Sequence, residues 1–227
     1  MLKMTTVSVA LAMTVGAGMA SAYFTEGFES SGSIPAGWAE KNASNPLGSV
    51  AWNIAVLAAT PFSAQAGDNY ARVNFNSTTG AGTISNWLFT QVDTIKNGDT
   101  LSFWTRTVDG PAFPDRLQVR LSTNGASTNT GVGSAGVGDF STLLLDINPT
   151  LTTTGYPDAW TQYSINISGL AGPVSGRFAF RYFVTNVGPL GDNSDFIGVD
   201  SVAFVPAPGA AALLGLGGLV VARRRRA

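Results

Sequence analysis

Fourteen acidic residues, with no histidine and no cysteine anywhere, set the chemistry open to this 227-residue chain. Without histidine there is no Ser-His-Asp triad, and without cysteine no thiol nucleophile. The usual nitrogen and sulfur ligands of zinc and copper are missing too. Catalysis would have to fall to a pair of carboxylates, as in glycosidases. No local pattern singles out such a pair, so the reading is a non-enzymatic protein. Acidic oxygens also bind calcium, a hard cation that takes carboxylate, amide and carbonyl oxygen. Asp200 stands out on physical grounds. It shares an alternating face with Phe196, Val202 and Phe204, expected to look inward, opposite Ile197, Val199, Ala203 and Val205. A charge on that face requires a partner or a metal. Calcium and a sheet-edge aspartate bonded to turn backbone or arginine both stay open. Asp192-Asn193-Ser194-Asp195 is a second oxygen-rich cluster. It lacks the twelve-residue EF-hand pattern, and these residue types favour a polar turn.

The elements that position these residues are strands. Between Tyr23 and Val205, short runs of aromatic and β-branched residues are separated by Gly, Ser, Thr and Asn, with almost no helical period. That spacing predicts an all-β, antiparallel sandwich of about ten strands. The clearest are Leu101–Arg106, Leu117–Leu121, Trp160–Ile167, the run holding Phe178, Phe180, Tyr182 and Val184, and Phe196–Val205. Weaker ones are expected at Tyr23–Phe28, Trp52–Val56, Tyr70–Phe75, Ile84–Phe89 and Leu143–Ile147. Thr123–Gly138 and Asn186–Ser194 read as long loops, the usual carriers of binding on a rigid scaffold. The low complexity of Thr123–Gly138 equally suits a spacer. Trp38, Trp52, Trp87, Trp104 and Trp160 are read as core, with sugar stacking as the alternative. Trp160 follows the Tyr156-Pro157-Asp158 turn and is placed near a rim.

The ends of the chain read as addresses. Lys3, the apolar run Val7–Val15 and Ala20-Ser21-Ala22 form a secretory signal peptide over residues 1–22, cut after Ala22 by signal peptidase. At the other end stand Pro206, Ala207, Pro208 and Gly209, an apolar run to Ala222, and Arg223, Arg224, Arg225 and Arg226. Fourteen residues of helix span about 21 Å, short of the ~30 Å hydrocarbon core. That suits transient membrane residence, with a plain C-terminal anchor as the alternative. Arginines stop on the cytoplasmic side and leave the body outside. Residues 23–205 carry all fourteen acids against two Lys and six Arg, a net charge of −6. An acidic body argues against nucleic acid, and the lack of cysteine rules out disulfides.

Two resemblances add to this. The Pro206–Gly209 motif, the short apolar helix and the terminal arginine block over residues 206–227 resemble the PEP-CTERM sorting signal, although Ala207 stands where that family usually has glutamate. The resemblance implies processing by an exosortase-type membrane enzyme and transfer to a bacterial cell surface, outer membrane or matrix. Phe24-Thr25-Glu26-Gly27-Phe28-Glu29 followed by Ile34-Pro35-Ala36-Gly37-Trp38 resembles the opening of choice-of-anchor J and cleaved-adhesin domains. Asn86–Thr90, Asp99–Trp104, Asp115–Val119, Arg177–Tyr182 and Ile197–Val202 match their later segments in order. This implies a jelly-roll sandwich over residues 23–205. In related jelly rolls a calcium bridges the chain's start and last strand, and by position its ligands would be Glu29, Asp68 and Asp200. The expected function is an adhesin or matrix component, structurally stabilised by calcium and engaging a glycan or matrix polymer. A carbohydrate-binding module is the alternative, and a carboxylate glycosidase a more distant one.

Overall fold

Alternate residues along each strand face opposite sides of a sheet, so the alternating runs become the inner faces of two packed sheets. The computed structural model describes residues 22–30, 32–54, 61–188 and 190–207. Among these the strands are β1 Phe24–Glu26, β2 Ala39–Asn42, β3 Asn45–Leu47, β4 Asn53–Ile54, β5 Ala71–Asn74, β6 Thr78–Phe89, β7 Asp93–Ile95, β8 Thr100–Thr107, β9 Leu117–Ser122, β10 Thr142–Ile147, β11 Thr161–Asn166, β12 Val174–Val187 and β13 Phe196–Val205. One sheet runs β11-β8-β13-β5-β4, with β1 also on β13. The other runs β10-β9-β12-β6-β2, with β3 on β6 and β7 on β12. Every ladder is antiparallel. The expected sandwich is what forms.

Its core lies between the sheets. Phe178, Phe180, Tyr182 and Val184 point into it from β12, as their spacing predicted, facing Phe103, Ile197, Val199 and Phe204 from the opposite sheet. Edge-to-face contacts cross the gap: Phe103 to Phe180 at 4.9 Å and Phe178 to Phe204 at 5.0 Å between ring centroids. Burying one such ring contributes roughly 1.5–3 kcal/mol. Strands β2, β3 and β7 are short and carry no apolar alternation; the sequence reading missed them. Of Trp52–Val56, Asn53–Ile54 forms β4, and 55–60 lie outside the described residues.

β13 corrects one expectation. Its register against β8 shifts between Asp200 and Ala203, with Ser201 at φ 47°. Such a bulge inserts a residue and flips the faces beyond it. Ile197 and Val199 therefore face the core before it, and Val202 and Phe204 after it. Phe196 packs outside the main core, with Tyr70. Asp200 precedes the shift, so it does not share the inward face of Val202 and Phe204 as the uninterrupted alternation implied.

The signal segment and the terminal helices lie outside the described residues, apart from Ala22. So do Pro208, Gly209 and the Arg223–Arg226 block. Among the described residues no helix is long and apolar enough to cross a membrane. Ala207 is described: its backbone N–H donates to the buried Asp99 carboxylate at 2.9 Å.

Candidate functional site

Asp200 is 0% exposed. Its burial comes from the loop 61–69, which folds over the outside of the sheet. Oδ2 accepts the backbone N–H groups of Gln65 (2.8 Å) and Ala66 (3.2 Å), and Oδ1 accepts that of Ser201 (2.6 Å). Glu29 holds the far side of the same loop, accepting from the backbone N–H of Asp68 (3.1 Å) and Asn69 (3.4 Å). Gly67 has φ +67°, a backbone conformation that side chains other than glycine's rarely adopt, and a Cβ there would lie 2.1 Å from Glu29 Oε1, so a substitution would strain the loop and displace the Glu29 carboxylate. Glu29 and Asp200 are thus brought to one loop, whereas Asp68 joins through its N–H and its side chain is exposed. Among the described residues no three His, Cys, Asp or Glu gather in a metal-binding group. The donors are all oxygen: two carboxylates and Gln65 Oε1, which accepts from Ser201 Oγ at 2.7 Å. Burial raises Asp200 to about 6, and the Glu29 charge adds to the rise. In kind, this set fits a hard cation.

The second region is the outer face of the other sheet. Gln118 and Arg120 on β9 alternate away from the core, as do Arg177, Ala179 and Arg181 on β12. All five are nevertheless buried, because residues 123–140 close over them. Phe140 seats its ring 5.6 Å from Trp87 and 5.0 Å from Phe89. Asp139 draws the loop together, accepting from Ser127 Oγ (2.6 Å), Asn124 Nδ2 (2.9 Å) and Asn129 Nδ2 (3.3 Å), bonds that hold its carboxyl below the usual range. Arg181 donates to Ser85 Oγ, Gln118 Oε1 and the Ser134 carbonyl, with its guanidinium 3.8 Å from the Phe183 ring centroid and 4.7 Å from that of Trp87. Arg177 donates to the carbonyls of Thr90, Ala126 and Gly37. Burial, then the neighbouring Arg120 and Arg116, brings Arg181 down to about 9. Thr123–Gly138 is therefore a cover over an arginine-rich face.

The third region is open. Phe75, Phe113, Gly188, Gly191, Ser194 and Asp195 line a pocket of about 230 Å³ at the end of the sandwich where β13 begins. Phe113 is 42% exposed, and Leu190 on the adjoining loop 80%. The Asp192–Asp195 cluster proves to be a turn: Asp192 and Asn193 donate backbone N–H to the Asn186 carbonyl, and Ser194 to that of Pro114. Asp195 N–H donates to Asp115 Oδ1 at 2.9 Å.

Asp115, which sequence reasoning passed over as a site residue, anchors this pocket from behind. It is buried, with no cationic partner among the described residues, and Tyr182 OH donates to its Oδ1. Tyr182 OH also meets Ser194 Oγ at 2.5 Å. Asp115 Oδ2 lies 2.5 Å from Thr107 Oγ1, which also donates to the Phe196 carbonyl. One hydroxyl has one proton, so a protonated Asp115 that donates to Thr107 satisfies both bonds. Burial pushes Asp115 up to about 6, in agreement. Of the tryptophans, Trp38, Trp52 and Trp87 are buried. Trp104 and Trp160 are half-buried, and Trp160 donates Nε1–H to the Ser63 carbonyl.

No protein-family model matches the chain, and no curated protein matches it. Solved structures do. The K1 cleaved adhesin domain of Lys-gingipain from Porphyromonas gingivalis W83 is 21% identical, covering 82% of this chain and 98% of that one with a TM-score of 0.54. The K3 cleaved adhesin domain of the same protein is 18% identical, with the same coverage and TM-score. A xylan-binding domain from CBM 22 is 12% identical, covering 83% of this chain and 96% of that one, at a TM-score of 0.46, too loose a likeness to carry argument. At these identities the cleaved-adhesin likeness is one of fold, and at that level it agrees with the resemblance seen in the sequence.

Proposed function

We propose that this chain is an exported, surface- or matrix-sorted bacterial binding module without catalytic activity, and that it engages glycan at its loop end. The observation that carries this reading is the pocket at residues 188–195, where long loops on a rigid sandwich present an exposed aromatic beside a carboxylate. Concave sites with an apolar wall and a few placed polar groups are the usual form of small-ligand sites. Asp195 is the one carboxylate among the lining residues described, and Asp115 is sealed behind Ser194. Two-carboxylate hydrolysis needs both groups at the substrate, so binding without turnover is favoured. The test is a glycan array of neutral, acidic and amino sugars probed with the full chain and with Phe113→Ala. Binding lost on substitution supports the reading, and silence across the array sinks it.

Residues 1–22 act as the signal peptide and 206–227 as the exosortase-type sorting signal in this reading, with 23–205 as the delivered domain. A tagged chain lacking everything after Val205 should lose surface location; normal location would remove the sorting role. At the other carboxylate cluster, Glu29 and Asp200 with Gln65 Oε1 would hold calcium, whose charge would offset their repulsion and pin the loop 61–69 to the last strand. Added Ca²⁺ should raise the melting temperature and EDTA reverse the rise. An unchanged melting temperature would retire Glu29, Asp68 and Asp200 as ligands.

A further inference from the structure

The loop-end pocket has given most of its backbone donors to the protein itself. The backbone N–H groups of Phe75, Gly191 and Ser194 are given to the carbonyls of Asp195, Gly188 and Pro114, and that of Asp195 to Asp115. Arg116, the adjoining basic residue in sequence, has its guanidinium held by Asp146 at 2.8 and 2.6 Å and set over Phe183. What the pocket offers is acceptor capacity. Asp195 is half-buried, and among the described residues no N–H or O–H donates to its carboxylate. A carboxylate withdrawn from water without donors is costly unless a ligand supplies them, and its rise above the ordinary range comes from burial. Beside it stand the rings of Phe75 and Phe113. The complement is a group with an apolar face and a cationic donor at its edge.

We propose that this pocket selects a protonated amino sugar, its ring laid on Phe113 and its ammonium on Asp195. The proposal rests on the glycan reading above and adds the charge of the sugar to it. A rigid ring brings its donor to the carboxylate at little entropic cost, whereas a lysine side chain loses rotamer freedom on docking. A charge-assisted hydrogen bond to a partly desolvated carboxylate is worth about tenfold or more in affinity.

The experiment is calorimetric titration of the full chain at about pH 6, where a sugar amine is protonated. The probes are a glucosamine oligomer, its fully N-acetylated counterpart and a lysine oligomer of equal charge. Expected is binding of the glucosamine oligomer at least about tenfold tighter than the acetylated one, a preference that weakens with salt. Asp195→Asn should level the two sugars, and Phe113→Ala should weaken both. Among the described residues nothing donates to the Asp195 side chain, so a melting temperature of Asp195→Asn at or above the native one verifies its fold. Equal binding of the two sugars by the native chain, or a preference that survives Asp195→Asn, overturns the amine while leaving the glycan reading standing. Binding of the lysine oligomer alone, sensitive to Asp195→Asn, overturns the sugar. No binding of any probe overturns the amino sugar, and silence on the glycan array as well overturns the glycan reading.

Discussion

The sheet face beneath residues 123–140 and the pocket at residues 188–195 are built from the same materials, aromatic rings beside charged groups, yet solvent reaches only the second. Under the cover, Arg177 and Arg181 spend their donors on carbonyls, a serine and a glutamine of the protein itself. At the open end, no N–H or O–H among the described residues donates to the Asp195 carboxylate. A buried guanidinium hydrogen-bonded through all three of its nitrogens holds a fold together, while a carboxylate without donors waits for a partner. Residue type alone does not separate these two roles; the state of the hydrogen bonds does.

Substitutions can break this contrast, and the strongest strikes the covered face. Phe140→Ala removes a fully buried ring and should cost about 3–5 kcal/mol, read by urea denaturation, with faster proteolysis between residues 123 and 138. A cost near zero would mean that the cover is not seated. Next comes the support behind the pocket. Asp115→Ala should cost about 2 kcal/mol by leaving the Asp195 N–H unmatched and taking one of two partners from Tyr182 OH, whereas Asp115→Asn, which reproduces the neutral acid, should be as stable as the native chain below about pH 6, where Asp115 holds its proton.

The same position predicts a pH dependence. A folded value of about 6 lies above the unpaired 3.8, so between them the folded chain holds a proton that the unfolded chain releases. The contribution of Asp115 is full below about pH 4 and falls as pH rises through 6. Glu40 and Asp195, both raised by burial, act in the same direction. Melting temperatures across this window should decline less steeply in Asp115→Asn; an identical slope would show that Asp115 does not titrate there. A smaller change is expected from Asp139→Ala, which frees Asn124, Ser127 and Asn129 and should speed proteolytic nicking of the cover. Smallest is Phe113→Ala, which should alter stability by less than about 0.5 kcal/mol. A loss comparable to that of Phe140→Ala would make the pocket part of the core and erase the contrast.

How legible this was followed the range of the interactions. The β8, β9 and β12 runs announce their strands because alternation is local, and their inward residues are those the pattern marked. The β13 bulge was hidden, because nothing in Asp200-Ser201-Val202 betrays a positive φ at Ser201, and it moved Asp200 off the face assigned to it. The cover was half legible. Gly, Ser, Thr and Asn marked a loop, but its seating depends on Phe140 meeting Trp87 and Phe89 from a distant strand. Asp115 could not be singled out, since its partners Thr107, Tyr182 and Asp195 lie up to 80 positions away. An Asp-Arg pair ahead of the alternating Leu117–Leu121 run was the available hint.

The last strand has a consequence for how the molecule stands. β13 begins beside the pocket, at Phe196, and runs ten residues to Val205, a span of roughly 30 Å. At that far end the chain's first strand joins it, Phe24 opposite Phe204, with the Tyr23 N–H on the Phe204 carbonyl at 2.8 Å. Entry and exit of the sandwich therefore share one pole and the pocket occupies the other. Anything that enters the pocket therefore approaches the sandwich from the end opposite both Tyr23 and Val205.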